Sequence, residues 1–194
     1  MNKQMIISGL LAFSVFIGIN NTAYAAQYKV DVQGAHAFVQ FKIKHLGYSW
    51  LLGRFNTFDG NFNYDAAKPN ESQIAIDIDV TSIDSNHAER DKHLKGKDFL
   101  DVNKFPNAKF VSKNITFTDE KNAVVTGEFT LKGVTKSISF NVEKIGEGND
   151  PWGGYRVGFS GTTSLKLSDY GITYNLGPAS THVDMALHIE GIRQ

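Results

Sequence analysis

Six histidines, His36, His45, His87, His93, His182 and His188, are the side chains of this 194-residue chain best suited to proton transfer or metal ligation near neutral pH. No cysteine accompanies them, so thiolate metal sites, cysteine nucleophiles, disulfides and iron–sulfur clusters are excluded. His87 and His93 flank Asp91, but a gap of six residues sets two imidazoles apart around a helix, unlike the facing i, i+4 pair of a metal site. They read as solvated or cap-bonding groups on a polar helix, and no metal site is expected. His45 extends the run Val39, Phe41, Ile43 and is expected to point inward. There it either satisfies a core hydrogen bond or offers a polar contact to a ligand head group near a cavity mouth.

Other catalytic constellations are missing from the sequence. There is no Gly-x-Ser-x-Gly elbow to expose a serine nucleophile. The stretch Gly146-Glu147-Gly148-Asn149-Asp150 lacks phosphate-loop spacing and reads as a hairpin loop. Asp77 and Asp79 share one strand face, but it is the wet one, whereas a glycosidase pair must face each other across a cleft. No residue is assigned a catalytic role.

The elements that must position any site follow from patterning. Val39, Phe41 and Ile43 alternate with Gln40, Lys42 and Lys44, and Ile74, Ile76, Ile78 and Val80 line up beside Asp77 and Asp79. Further alternating runs cover Phe110 to Phe117, Val124 to Leu131, Ser137 to Ile145, Tyr155 to Leu167 and Val183 to Ile189. With Tyr28 to Val32 and Phe55 to Tyr64 they make eight or nine strands, an all-β chain forming an antiparallel sandwich or barrel. Short turns at Asp119–Asn122 and Lys132–Thr135 favour an up-and-down order. Glycines at Gly60, Gly127, Gly158 and Gly161 suit sharp bends in coiled strands. Only residues 84–102 break the alternation. A short helix is expected there, capped by Asp84 or Ser85, running through Lys95 and ended by Gly96, with Phe99 and Leu100 as an apolar plug.

The chain carries 20 basic and 20 acidic side chains, so no long-range field attracts nucleic acid. The first 25 residues stand apart: Lys3, fifteen uncharged residues from Met5 to Ile19, then the small-x-small triplet Ala23-Tyr24-Ala25. That layout is a secretory signal peptide cleaved after Ala25, leaving residues 26–194 as one exported domain with no stable membrane insertion. Fourteen phenylalanines and seven tyrosines supply bulky walls that either fill a barrel or line a cavity, and periodicity does not separate the two.

A longer pattern bears on that choice. Asp31, His36, Phe41 and His45 are followed by Gly53-Arg54-Phe55, Phe58-Asp59-Gly60 and Ile83-Asp84. Next come Arg90-Asp91-Lys92-His93-Leu94, Lys97-Asp98-Phe99-Leu100-Asp101-Val102, Phe105-Pro106 and Thr130-Leu131-Lys132-Gly133-Val134-Thr135. This ordered set, spanning residues 27 to 192, resembles the YceI family of exported lipid-binding proteins. The resemblance implies an antiparallel eight-stranded lipocalin-like barrel with one or two short helices near one end. It further implies a lumen for a polyprenyl quinone or polyprenyl alcohol, a periplasmic storage or transport role, commonly a homodimer, and no cofactor beyond the bound lipid.

Alternation then gives the candidate lining: Val39, Phe41, Ile43, Phe58, Phe62, Ile76, Ile78, Phe110, Phe129, Phe140, Phe159, Met185 and Leu187. His45 is the candidate polar contact, and Phe99 and Leu100 are placed to close one end. Two other readings stand beside the binding one: a lipid-modifying hydrolase or isomerase using His45 in the same cavity, and a filled barrel acting through its surface.

Overall fold

A computed structural model describes residues 25–194. The leader read at residues 1–25 lies outside the described residues, apart from Ala25. Eleven strand segments run as β1 (Ala26–Val30), β2 (Phe38–His45), β3 (Ser49–Phe55), β4 (Phe58–Tyr64), β5 (Gln73–Asp79) and β6 (Ile83–Asp84). After one helix, α1 (Ala88–Leu94), come β7 (Asn107–Phe117), β8 (Asn122–Leu131), β9 (Val134–Asn149), β10 (Tyr155–Lys166) and β11 (His182–Arg193).

The pairing reduces these segments to eight composite strands. β1 pairs with β4 while β2 pairs with β3, so β1 and β2 are one strand interrupted by residues 31–37, and β3 and β4 are one strand interrupted at Asn56-Thr57. β5 and β6 follow the same line on the next strand, interrupted by a 3₁₀ turn at Val80–Ser82. The order is then a plain antiparallel meander, closed where β11 pairs with β2 along its first half and with β1 along its last residues. Closure leaves no long free edge, and inward side chains alternate with wet ones along each strand. β7 shows this most plainly: Ala108, Phe110 and Ser112 are buried while Asn107 and Lys109 face water.

The turns have physical causes. β8 and β9 meet through Lys132 and Gly133, both at positive φ (51° and 75°), the geometry whose twist matches a two-residue hairpin. Lys132 occupies a position that favours Gly or Asn, and its ammonium donates to the Lys97 carbonyl at 3.0 Å. The expected loop at Gly146–Asp150 is corrected: β9 continues to Asn149, and the turn lies at residues 150–154. Asp150 fixes that turn by accepting from the backbone amides of Trp152 and Gly154.

The helix also departs from expectation. Its cap is His87, whose Nδ1 accepts from the Arg90 amide at 3.2 Å, and not Asp84 or Ser85. Ser85 is instead taken up by Asp91, whose Oδ1 accepts from the Ser85 amide and hydroxyl at 2.8 and 2.5 Å. This clamp holds the start of the helix, and beyond it Phe99 and Leu100 are buried against the barrel end.

Candidate functional site

The interior is not filled. Three apolar chambers follow one another along the lumen, each sharing wall residues with the next. The mouth chamber, about 260 Å³, lies beneath α1 and is bordered by Phe41, Ile43, Leu51, Phe55, Phe99, Leu100, Leu176 and Val183. Ile78, Phe129, Leu165 and Met185 belong both to it and to a waist of about 30 Å³. Ile76, Phe110, Phe140 and Leu187 carry the waist into an inner chamber of about 80 Å³, completed by Phe62, Tyr64, Phe117, Val142 and Phe159.

Glycine keeps this lumen open. A side-chain carbon at Gly127 would stand 2.6 Å from Cζ of Phe110, and one at Gly191 would stand 2.5 Å from the ring of Phe62. In both places the far end of a ring occupies the space that a side chain would otherwise take. The rings also brace one another. Phe62 stacks on Tyr28 at 5.0 Å and meets Phe159 edge-on at 5.8 Å, while Phe110 and Phe140 pack at 5.5 Å.

Fourteen of the sixteen candidate residues border these chambers: Phe41, Ile43, His45, Phe62, Ile76, Ile78, Phe99, Leu100, Phe110, Phe129, Phe140, Phe159, Met185 and Leu187. Val39 and Phe58 do not. They are buried in the core but border none of these three chambers. Alternation tells which way a side chain points, not whether its neighbours leave a gap.

Of the two positions expected for His45, the structure shows the one at the mouth. It ends β2 exposed at the rim of the mouth chamber, not buried in the core. Two polar groups join it there from α1. Arg90 is anchored by Nε donating to Ser85 Oγ at 2.7 Å, and His93 packs edge-on against Phe99 at 4.9 Å and Tyr174 at 5.5 Å. His93 is exposed, as a solvated group on a polar helix is expected to be, and it also borders the cavity. Among the described residues, neither the His45 nor the His93 imidazole hydrogen-bonds a hydroxyl or a carboxylate. At the far end Asn63, Ser72 and Gln73 border the inner chamber, and Ser72 Oγ is buried without a hydrogen-bond partner among the described residues.

Outside the barrel, Asp31, His36 and Glu190 bring ligand-type atoms within 4.8 Å of one another. Arg156 already supplies the positive charge: its Nη1 donates to Asp31 and Glu190 at 2.6 Å each, and its Nε donates to Asp150 at 2.7 Å. Burial alone would raise the Asp31 pKa, but hydrogen bonds from His36, Arg156 and the Gly34 amide outweigh it and hold the group at about 2. The cluster is an ion-pair clasp over the interruption between β1 and β2.

Comparison with known proteins fits this geometry. A family profile described as a YceI-like domain matches residues 28–191. A UPF0312 protein from Ectopseudomonas mendocina is 53% identical over 188 residues, 97% of each chain. Among solved structures, BcnA from Burkholderia cenocepacia superposes with a TM-score of 0.73 at 24% identity, over 83% of this chain and 98% of that one. A polyisoprenoid binding domain from Saccharophagus degradans, implicated in plant cell wall breakdown, superposes with a TM-score of 0.63 at 15% identity, over 88% of this chain and 100% of that one.

Proposed function

This chain belongs to the YceI family, and on that premise we propose that it binds a long-chain isoprenoid, a polyprenyl quinone or polyprenyl alcohol, along the barrel lumen. The observation that carries the reading is the series of three apolar chambers running from an exposed rim to the far end of the barrel. Each five-carbon isoprene unit that leaves water for such a lumen gains roughly 4 kcal/mol before ordering costs, so a tail binds without any hydrogen bond to it. A relative in fold, the Saccharophagus domain, is described as binding polyisoprenoid, which supports this ligand class. The protein acts as a binding protein and not as a catalyst, since His45, Arg90 and His93 offer hydrogen bonds to a head group but no paired nucleophile and base.

Its place of work is the periplasm, where an isoprenoid must cross water between hydrophobic sites. The leader pattern of residues 1–25 supports export, and among the described residues no helix is long and apolar enough to cross a membrane. Protein purified without detergent, extracted with organic solvent and examined by mass spectrometry is expected to release a polyprenyl species whose mass is unchanged by incubation with the protein. Repeated extractions yielding none, together with no uptake of added polyprenyl quinone, would overturn the proposal.

A further inference from the structure

Alternation gives β2 and β3 two different faces. The inner one carries Phe41, Ile43, His45 and Leu51 into the mouth chamber. On the outer one, register sets Lys42 opposite Leu52 and Lys44 opposite Trp50. Both ammonium groups lie over the indole, at 4.7 and 5.6 Å from its centroid. At the hairpin tip Leu46 and Gly47 turn the chain at positive φ and leave Tyr48 89% exposed, with Leu52 67% exposed beyond it. The tip is held to the mouth, because Ser180 Oγ donates to the Lys44 carbonyl at 2.5 Å from the loop that also carries exposed Tyr174.

Exposed apolar side chains contiguous with a cavity mouth are costly in water unless something covers them. Here they are interleaved with lysines. Lys42 has only Asp184 near it, at 4.0 Å, and among the described residues Lys44 has no carboxylate within 4.0 Å. Trp and Tyr beside Lys is the composition that partitions into a bilayer interface, rings at headgroup depth and ammonium groups on anionic phosphates. A second copy of this face would set lysines against lysines, a repulsion that anionic lipid removes.

We propose that the outer face of the β2–β3 hairpin docks reversibly on an anionic phospholipid surface and presents the tunnel mouth to the bilayer. This rests on the isoprenoid-binding reading, since the docked face is the back of the ribbon that walls the mouth chamber. Exchange of the lipid then takes place with Tyr48 and Leu52 seated among the headgroups.

The test uses the Trp152→Phe protein, in which Trp50 is the only tryptophan. Vesicles containing phosphatidylglycerol are expected to co-sediment the protein and shift Trp50 emission to the blue, whereas phosphatidylcholine alone does neither. Lys42→Glu with Lys44→Glu should lower partitioning about ten-fold or more, and Leu52→Asp should do so with both lysines intact. Circular dichroism would check that each variant is folded. Docking is overturned if phosphatidylglycerol vesicles produce no binding, if the charge-reversed protein binds like its parent, or if Trp50 shifts with protein concentration in the absence of vesicles, which marks a second copy as the occupant. Solvent extraction of the charge-reversed protein is read separately: retained isoprenoid keeps the carrier reading whatever the vesicles show.

Discussion

Asp31 shows how one residue's surroundings set its contribution. Its carboxylate is nearly buried, at 5% exposure, yet it is held at a pKa of about 2 because His36, Arg156 and the Gly34 amide all bond to the charged form. A folded-state pKa below the ordinary value of 3.8 stabilises the fold above about pH 4, and the contribution is lost as pH falls towards 2. Asp31→Asn is therefore expected to cost about 2 kcal/mol at neutral pH and to flatten the loss of stability between about pH 4 and 2. Urea unfolding at stepped pH measures both. The sequence shows Asp31 and His36 in order but not their partner, because Arg156 is 125 residues away and joins them only when the barrel closes.

Elements set the room that residues share. β8 presents Gly127 to the lumen, and Phe110 of β7 lies across it. Adding one methyl there meets both that ring and the Val111 carbonyl, and the carbonyl cannot rotate away. Gly127→Ala should thus destabilise the fold by about 1–3 kcal/mol and push the ring into the waist, visible as lower isoprenoid uptake at equal folded protein. β3 (Ser49–Phe55) and the two-residue β6 were not read as strands, but most strands were legible in period-two alternation, because each has one face on the lumen and one in water. The interruptions in the first three composite strands were not, since Asn56-Thr57 and Val80–Ser82 differ little in composition from the strands they break. The helix cap was misplaced for a related reason: Ser85 looks like a cap, but Asp91 reaches back and takes its donors.

At the scale of the whole molecule, the proposed function makes the three chambers in series a ruler for chain length. The waist of about 30 Å³, walled by Phe110, Phe129 and Phe140, is the narrowest of the three, and on the proposed isoprenoid-binding reading a long chain would have to displace these rings to pass it. Thr163→Phe, at the waist, is expected to abolish the gain in affinity with chain length beyond the mouth chamber while leaving short polyprenols bound. Competition with polyprenols of graded length measures this. A variant whose affinity still rises through the longest chain would show that the inner chamber takes no ligand.

The amino-acid sequence by itself determined the all-β class, the up-and-down order, the family resemblance and the inward side of most of the strands it identified, because side chains alternate with a period of two whatever the strand's neighbours. Only the tertiary structure decided which inward side chains border empty space. Val39 and Phe58 are buried like Phe41 and Phe62 but border none of the three chambers, and His93 reaches the mouth where His45 alone was expected. A void is a property of several strands at once: Phe110 of β7 lies on Gly127 of the neighbouring β8, and Phe62 of β4 meets Gly191 of β11 only because β11 closes onto β1.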